Sequence, residues 1–162
     1  MRLAAHGIAA RLPDGWEGAI GAHRQEMVVA AAGQGAAPAR EELPVAHFAT
    51  FALPATRGDF GSNVVDAMRA SDAFVSLVEY GPEEAGTALF SAAGLPRRLD
   101  PRAFSAKQLQ RTIKGQAGLQ IFFTHGGRAF CLYVVLGDAT DAHRLVRRVE
   151  QVLATLELTE AA

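Results

Sequence analysis

One cysteine, Cys131, stands among the 162 residues. No intrachain disulfide can form, and no set of thiolates is present to hold zinc or an iron–sulfur cluster. A reducing compartment suits such a chain. The five histidines, His6, His23, His47, His125 and His143, show no HxH, HxxH or HExxH spacing, so a local metal motif is missing and no cofactor is expected. Long apolar runs are missing too. The longest uncharged stretches, such as 43–56, reach 14 residues and contain prolines, short of the roughly 18 that span a bilayer. At the start of the chain, His6 and Arg11 interrupt the unbroken apolar stretch that a signal peptide needs. The expectation is a cytoplasmic protein with no membrane partner.

The chain also lacks the familiar marks of chemistry. Gly33 and Gly35 are followed by neither GK[ST] nor the GxGxxG pattern of a phosphate loop. Ser62, in Gly61-Ser62-Asn63, is without the Gly-x-Ser-x-Gly elbow of a hydrolase and reads as a helix cap. Glu83 and Glu84 are adjacent, so they diverge on a helix or turn and form no local acid–base pair. Cys131 lies mid-strand between Phe130 and Leu132, where an apolar setting keeps a thiol protonated. The expectation is that the protein is not an enzyme.

What is present is enough for one self-standing domain. A 17.2 kDa chain buries about 69% of its unfolded surface on folding, and hydrophobic residues make up 49% of it against 20% charged. Residues 1–158 read as a single domain and 159–162 as a short tail. Leu3–Leu12 has strand character and ends at the Pro13-Asp14-Gly15-Trp16 turn, after which Glu17–Gln25 returns as a second strand. Met27–Pro38 is Gly/Ala-rich and reads as a hairpin end or loop. Val45–Leu53 carries apolar residues on both faces, the mark of an interior strand.

Phe60, Val64 and Met68 recur every four residues and predict a short helix over 60–70, whereas Ala73–Tyr80 is a strand stopped by Gly81-Pro82. Residues 83–118 read as a long connection with short helical or extended pieces. Leu119–His125 and Arg128–Leu136 flank Gly126-Gly127 and form a hairpin, with Phe122, Phe123, Phe130 and Tyr133 assigned to the core. Leu145, Val146, Val149, Val152, Leu153 and Leu156 make one apolar face of a closing helix from about Asp141, capped by Thr140 or Asp141.

The opening strand ending in Pro13-Asp14-Gly15-Trp16, the late hairpin IFFTHGGRAFCLYVVL and the closing helix running into VLATLEL together resemble the PsbP-like group of α/β/α sandwich domains. That group includes extrinsic photosystem subunits, a nuclear-import factor that binds a small GTPase, and bacterial proteins. The resemblance implies an α+β, single-domain α/β/α sandwich with a mainly antiparallel sheet and the C-terminal helix packed on it. It also implies a binding module in preference to an enzyme.

The net charge of −1 conceals segregation. Residues 41–84 carry eight acids against two bases, and residues 97–114 carry six bases against Asp100 alone. Such blocks form separate solvated surfaces, pair within the molecule or between copies, or steer a charged partner. With a pI of about 6.5 and no stacking motif beside the charges, specific nucleic-acid binding is not expected. The first functional expectation is therefore a non-catalytic protein–protein interaction or assembly module. Its partner, a second protein or another copy, would meet Arg97, Arg98, Arg102 and Lys107, with Phe104 as an apolar contact. The alternative is a small-ligand-binding or enzymatic domain whose site is assembled from distant polar residues such as His47, Asp59 and Glu79. For His47 taken alone, a hydrogen-bonded strand histidine is the simpler reading.

Overall fold

A computed structural model describes residues 1–24 and 42–162. The Gly/Ala-rich loop expected at Met27–Pro38 lies outside the described residues. The domain is α+β, with two antiparallel sheets and one C-terminal helix packed against the larger of them. Strands β1 (Arg2–Ala5), β2 (Ile8–Arg11) and β8 (Glu157–Leu158) form a small sheet in the order β1-β2-β8. Strands β3 (Glu17–Arg24), β4 (Glu42–Ala49), β5 (Ala73–Tyr80), β6 (Ala117–His125) and β7 (Arg128–Leu136) form the main sheet in the order β3-β4-β5-β7-β6. Helix α1 spans Ala142–Leu153.

Most elements follow their sequence signals. The β6–β7 hairpin closes through Gly126 and Gly127, both at positive φ, as a tight two-residue turn between twisted strands requires. The β4 strand sits between β3 and β5, and its two-sided apolar pattern is buried on both faces. On one face Phe48, Val75, Leu77, Leu132 and Val134 pack beneath Leu145, Val149, Val152 and Leu153 of the helix. Ile8, Ala10 and Leu12 of the small sheet join the same core.

Three local expectations are corrected. The stretch 3–12 is a hairpin and not one strand, because His6 and Gly7 both adopt positive φ and turn the chain back. The helix over 60–70 is reduced to a single 3-10 turn at Val65–Ala67, and the Ser62 side chain caps nothing there. Its periodicity loses to backbone conformation: Gly61 and Asn63 are left-handed, at φ +82° and +67°, which breaks a right-handed helix at its first turn. At α1 neither Thr140 nor Asp141 caps by its side chain. Asp138 instead accepts from the Thr140 N–H in a preceding 3-10 turn, and the Asp141 carboxylate pairs with Arg144.

The connection read over 83–118 opens within a 3-10 turn at Pro82–Glu84 and holds two more, at Pro101–Ala103 and Ala106–Gln108. The connection runs along the outer edge of β6, where Ala93 bridges Thr124 and Ser105 bridges Gly118. The residues read as a tail are tied down: the Thr159 N–H donates to the Gly7 carbonyl and the Ala161 N–H to the Gly126 carbonyl. The helix covers one face of the main sheet. On the other, Ala49, Phe74, Tyr133 and Val135 are overlain by loop residues Phe51, Leu53, Phe60, Val64, Val65, Met68 and Leu109. That loop-covered face holds the candidate site. Among the described residues no helix is long and apolar enough to cross a membrane.

Candidate functional site

Period-two alternation along the strands aims one set of side chains at the helix and the other at the loops. Cross-strand register places His47 of β4, Ser76 of β5 and Tyr133 of β7 in one row on the loop-covered face. His47 is 1% exposed. Its Nε2 lies 2.8 Å from the Asp59 carbonyl, and its Nδ1 lies 2.8 Å from Nε of Arg57. A carbonyl only accepts and a guanidinium only donates, so the ring is the neutral Nε2–H tautomer. Burial is the main cause that pushes its pKa down to about 4, and the nearby Arg57 adds to it. The Ser76 hydroxyl donates to the same Asp59 carbonyl, and the Asp59 carboxylate pairs with His23.

These contacts pin the 54–62 loop to the sheet. They do not make a nucleophile and base, because Ser76 and His47 both donate to one oxygen and neither bonds the other. Two members of the set proposed from sequence, His47 and Asp59, are thus brought together as loop anchors. The third, Glu79, points to the opposite face, where it forms a bidentate pair with Arg128 at 2.8 and 2.6 Å.

Beyond the anchored loop lies a cavity of about 470 Å³. Its floor is Tyr133 and Val135 of β7, and Phe60, Val65 and Leu109 supply apolar walls. The edge of the Phe60 ring meets Tyr133 with centroids 5.8 Å apart. Polar side chains of Ser62, Asn63, Gln110 and Gln116 line the cavity as well. The Tyr133 hydroxyl accepts from the Gln110 N–H at 2.9 Å, which leaves its own proton to donate. Burial raises the pKa of this phenol, so it stays protonated. Gln116 is 6% exposed, and its Nε2 donates to the Val65 carbonyl at 2.9 Å. Its Oε1 is buried without a hydrogen-bond partner. Flipping the amide would set an oxygen against the Val65 carbonyl, so the orphaned acceptor is fixed by its surroundings. Asp66 and Arg111, also in the lining, form an exposed ion pair.

The basic segment proposed as a partner surface is largely engaged within the molecule. The Arg97 guanidinium donates to the carbonyls of Leu153 and Leu156, satisfying the end of α1. Arg98 reaches Glu150, and Arg102 pairs with Asp100. Phe104 is partly buried against the main core, and Lys107 is exposed. None of these five lines the cavity. Sequence reading passed over Gln116, Leu109 and Arg111, for which a signal existed only in part: Arg111 and Asp66 belong to the two opposed charge blocks.

Among the described residues no group of three or more His, Cys, Asp and Glu side chains is placed to hold a metal ion. No protein-family model matches the chain, and no curated protein or solved structure matches it.

Proposed function

We propose that the protein is a non-catalytic binding domain that takes a small molecule with both apolar and polar groups into the cavity between the loops and β7. The reading rests on one observation: a cavity between the loops and β7 is lined by Phe60, Val65, Leu109 and Val135 together with polar side chains such as Asn63, Gln110 and Gln116. The volume of about 470 Å³ falls inside the roughly 300–1,000 Å³ typical of small-molecule sites. Binding is favoured over chemistry because His47, next to the cavity, has both ring nitrogens engaged. The PsbP-like α/β/α resemblance carries the same expectation of a binding module. Capture of a protein partner by Arg97, Arg98, Arg102, Lys107 and Phe104 is the weaker reading, since three of the four cations already have partners within the chain.

The test is a fragment library screened by amide NMR on the full chain and on Gln110→Trp, which fills the cavity from an exposed loop position. Fragments that shift Gln116, Gln110 and Tyr133 together, and lose their effect in the variant, are the expected result. A library that leaves these resonances unmoved refutes the proposal.

A further inference from the structure

The outer face of the small sheet carries two like charges that nothing in the chain compensates. Register pairs Arg2 of β1 with Arg11 of β2, and Ala4 with Ala9. Alternation along the strands sets these four residues on one face, while Leu3, Ile8 and Ala10 point the other way into the main core. Both arginines are exposed. Like charges directly opposite each other destabilise an antiparallel pair, and among the described residues neither guanidinium meets a carboxylate.

The backbone beneath the pair is held on both sides. The Arg11 N–H donates to the Thr155 hydroxyl at 3.2 Å, and that hydroxyl donates to the Arg11 carbonyl at 2.7 Å. Next to it the Leu12 N–H donates to the Met1 carbonyl at 2.8 Å. Arg2 and Arg11, with Ala9, Ala10, Thr155 and Glu157, line a recess of about 350 Å³ that shares no residue with the cavity beside β7.

We infer that Arg2 and Arg11 together bind a phosphate dianion, free or as the monoester group of a small molecule, with both guanidiniums donating to its terminal oxygens. Each guanidinium is a planar fork of donors suited to phosphate, and two of them match a charge of −2. A carboxylate or a phosphodiester brings a single charge and compensates one arginine. Glu157, opposite Ala9 on β8, is the acid of this lining and opposes any anion, so the dianion gains most from having both arginines. The site is independent of the small-molecule reading of the cavity.

The experiment titrates the full chain with inorganic phosphate, phenyl phosphate or acetate at millimolar concentration, with chloride holding ionic strength constant. At about pH 7.5 a phosphate monoester is doubly charged. Amide NMR of Ala9, Arg11 and Thr155 is expected to show saturable shifts with both phosphates, at least about 10-fold tighter than with acetate, the ratio of one charge-assisted hydrogen bond. Glu157→Gln tightens phosphate binding. Arg2→Gln and Arg11→Gln each abolish it, while their thermal midpoints without phosphate equal or exceed that of the unmodified chain because the repulsion is relieved.

Co-sedimentation with phosphatidic acid vesicles and not with phosphatidylcholine vesicles, lost in Arg11→Gln, assigns the dianion to a lipid headgroup; no co-sedimentation assigns it to a soluble ligand. Shifts that do not saturate, that acetate reproduces at equal ionic strength, or that persist in both arginine variants overturn the inference. A clear fall in the phosphate-free midpoint of both variants overturns it too, since the pair would then be structural.

Discussion

Arg128 gives the sharpest test of how the two sheets are joined. It is 8% exposed, at the start of β7. Its Nε and Nη2 donate to the two Glu79 oxygens at 2.8 and 2.6 Å. Nη1 donates to the Gly7 and Thr159 carbonyls at 3.1 Å each, and Nη2 to the His6 carbonyl at 3.1 Å. The guanidinium also lies 5.0 Å from the centre of the Phe130 ring. One side chain thus links the main sheet to the β1–β2 turn and to the segment after β8. Replacing it by Leu leaves Glu79, with a side chain only 12% exposed, as an unpaired buried charge and takes a donor from three carbonyls, of which that of Gly7 keeps the Thr159 N–H.

Breaking a buried pair from one side costs about 3–5 kcal/mol. For 162 residues the unfolding entropy is about 0.34 kcal/mol/K, so Arg128→Leu lowers Tm by about 9–15 °C. Glu79→Gln keeps only one acceptor opposite the guanidinium and sets an amide NH2 against the other donor, so it too is destabilising. The Arg128→Leu/Glu79→Leu double variant recovers at least 1 kcal/mol relative to the sum of the single leucine variants, because neither charge is then left alone. Urea and thermal unfolding measure all four. A loss below 1 kcal/mol for Arg128→Leu, or additive single variants, refutes the argument that this pair holds the sheets together.

His47 gives a pH dependence. Its native pKa, about 4, lies below the ordinary 6.5, so the unfolded chain binds the extra proton first. The stability due to neutral burial is complete above pH 6.5, falls by about 3 kcal/mol between pH 6.5 and 4, and changes no further below that. Urea titrations in that window show a slope that is reduced in His47→Gln, and an unchanged slope counts against the assignment. Arg97→Ala, which frees two carbonyls at the end of α1, lowers stability by about 1–2 kcal/mol. Arg98→Ala, whose side chain is 90% exposed, stays within about 0.5 kcal/mol. Equal effects of the two substitutions on thermal unfolding contradict a capping role for Arg97. Burial pushes the Cys131 thiol up to about 12, so a thiol-specific disulfide reagent labels it only after unfolding. Fast labelling of the native chain speaks against that placement.

The elements legible from sequence are those whose local pattern and tertiary environment agree. Gly126-Gly127 between two β-branched and aromatic runs leaves the chain little choice but a hairpin, and the apolar stripe of α1 has one face to bury. The failures occur where one residue's backbone conformation outweighs side-chain periodicity. His6 turns left-handed beside Gly7, and Asn63 does so beside Gly61. A histidine and an asparagine tolerate that conformation better than most side chains, but nothing in a linear pattern says that they adopt it. Gly61 is held there for a further reason: a Cβ at this position would stand 2.6 Å from the Phe74 ring. That close approach seats the loop on the sheet and helps to define the cavity.

Charge segregation was the one outward-pointing feature of the sequence, and the fold gives part of it an inward use. Asp66 comes from the acidic block and Arg111 from the basic one, and their ion pair joins the two segments that face each other across the cavity. Arg97, Arg98 and Arg102 each find a carbonyl or carboxylate within the chain. Opposed blocks of charge in a sequence therefore fit the joining of two loops as well as the capture of a partner. Only the three-dimensional arrangement separates these cases. Gln116 and Tyr133, which line the cavity, carry no charge signal at all. Tyr133 reads as core from its strand pattern, and it is core, 2% exposed; its hydroxyl accepts from the Gln110 N–H and keeps its own proton to donate. Gln116 is one of many glutamines until its amide is seen fixed by the Val65 carbonyl with its oxygen facing no partner. Which half of a polar group the fold leaves unsatisfied is a property of the folded arrangement and not of the residue type.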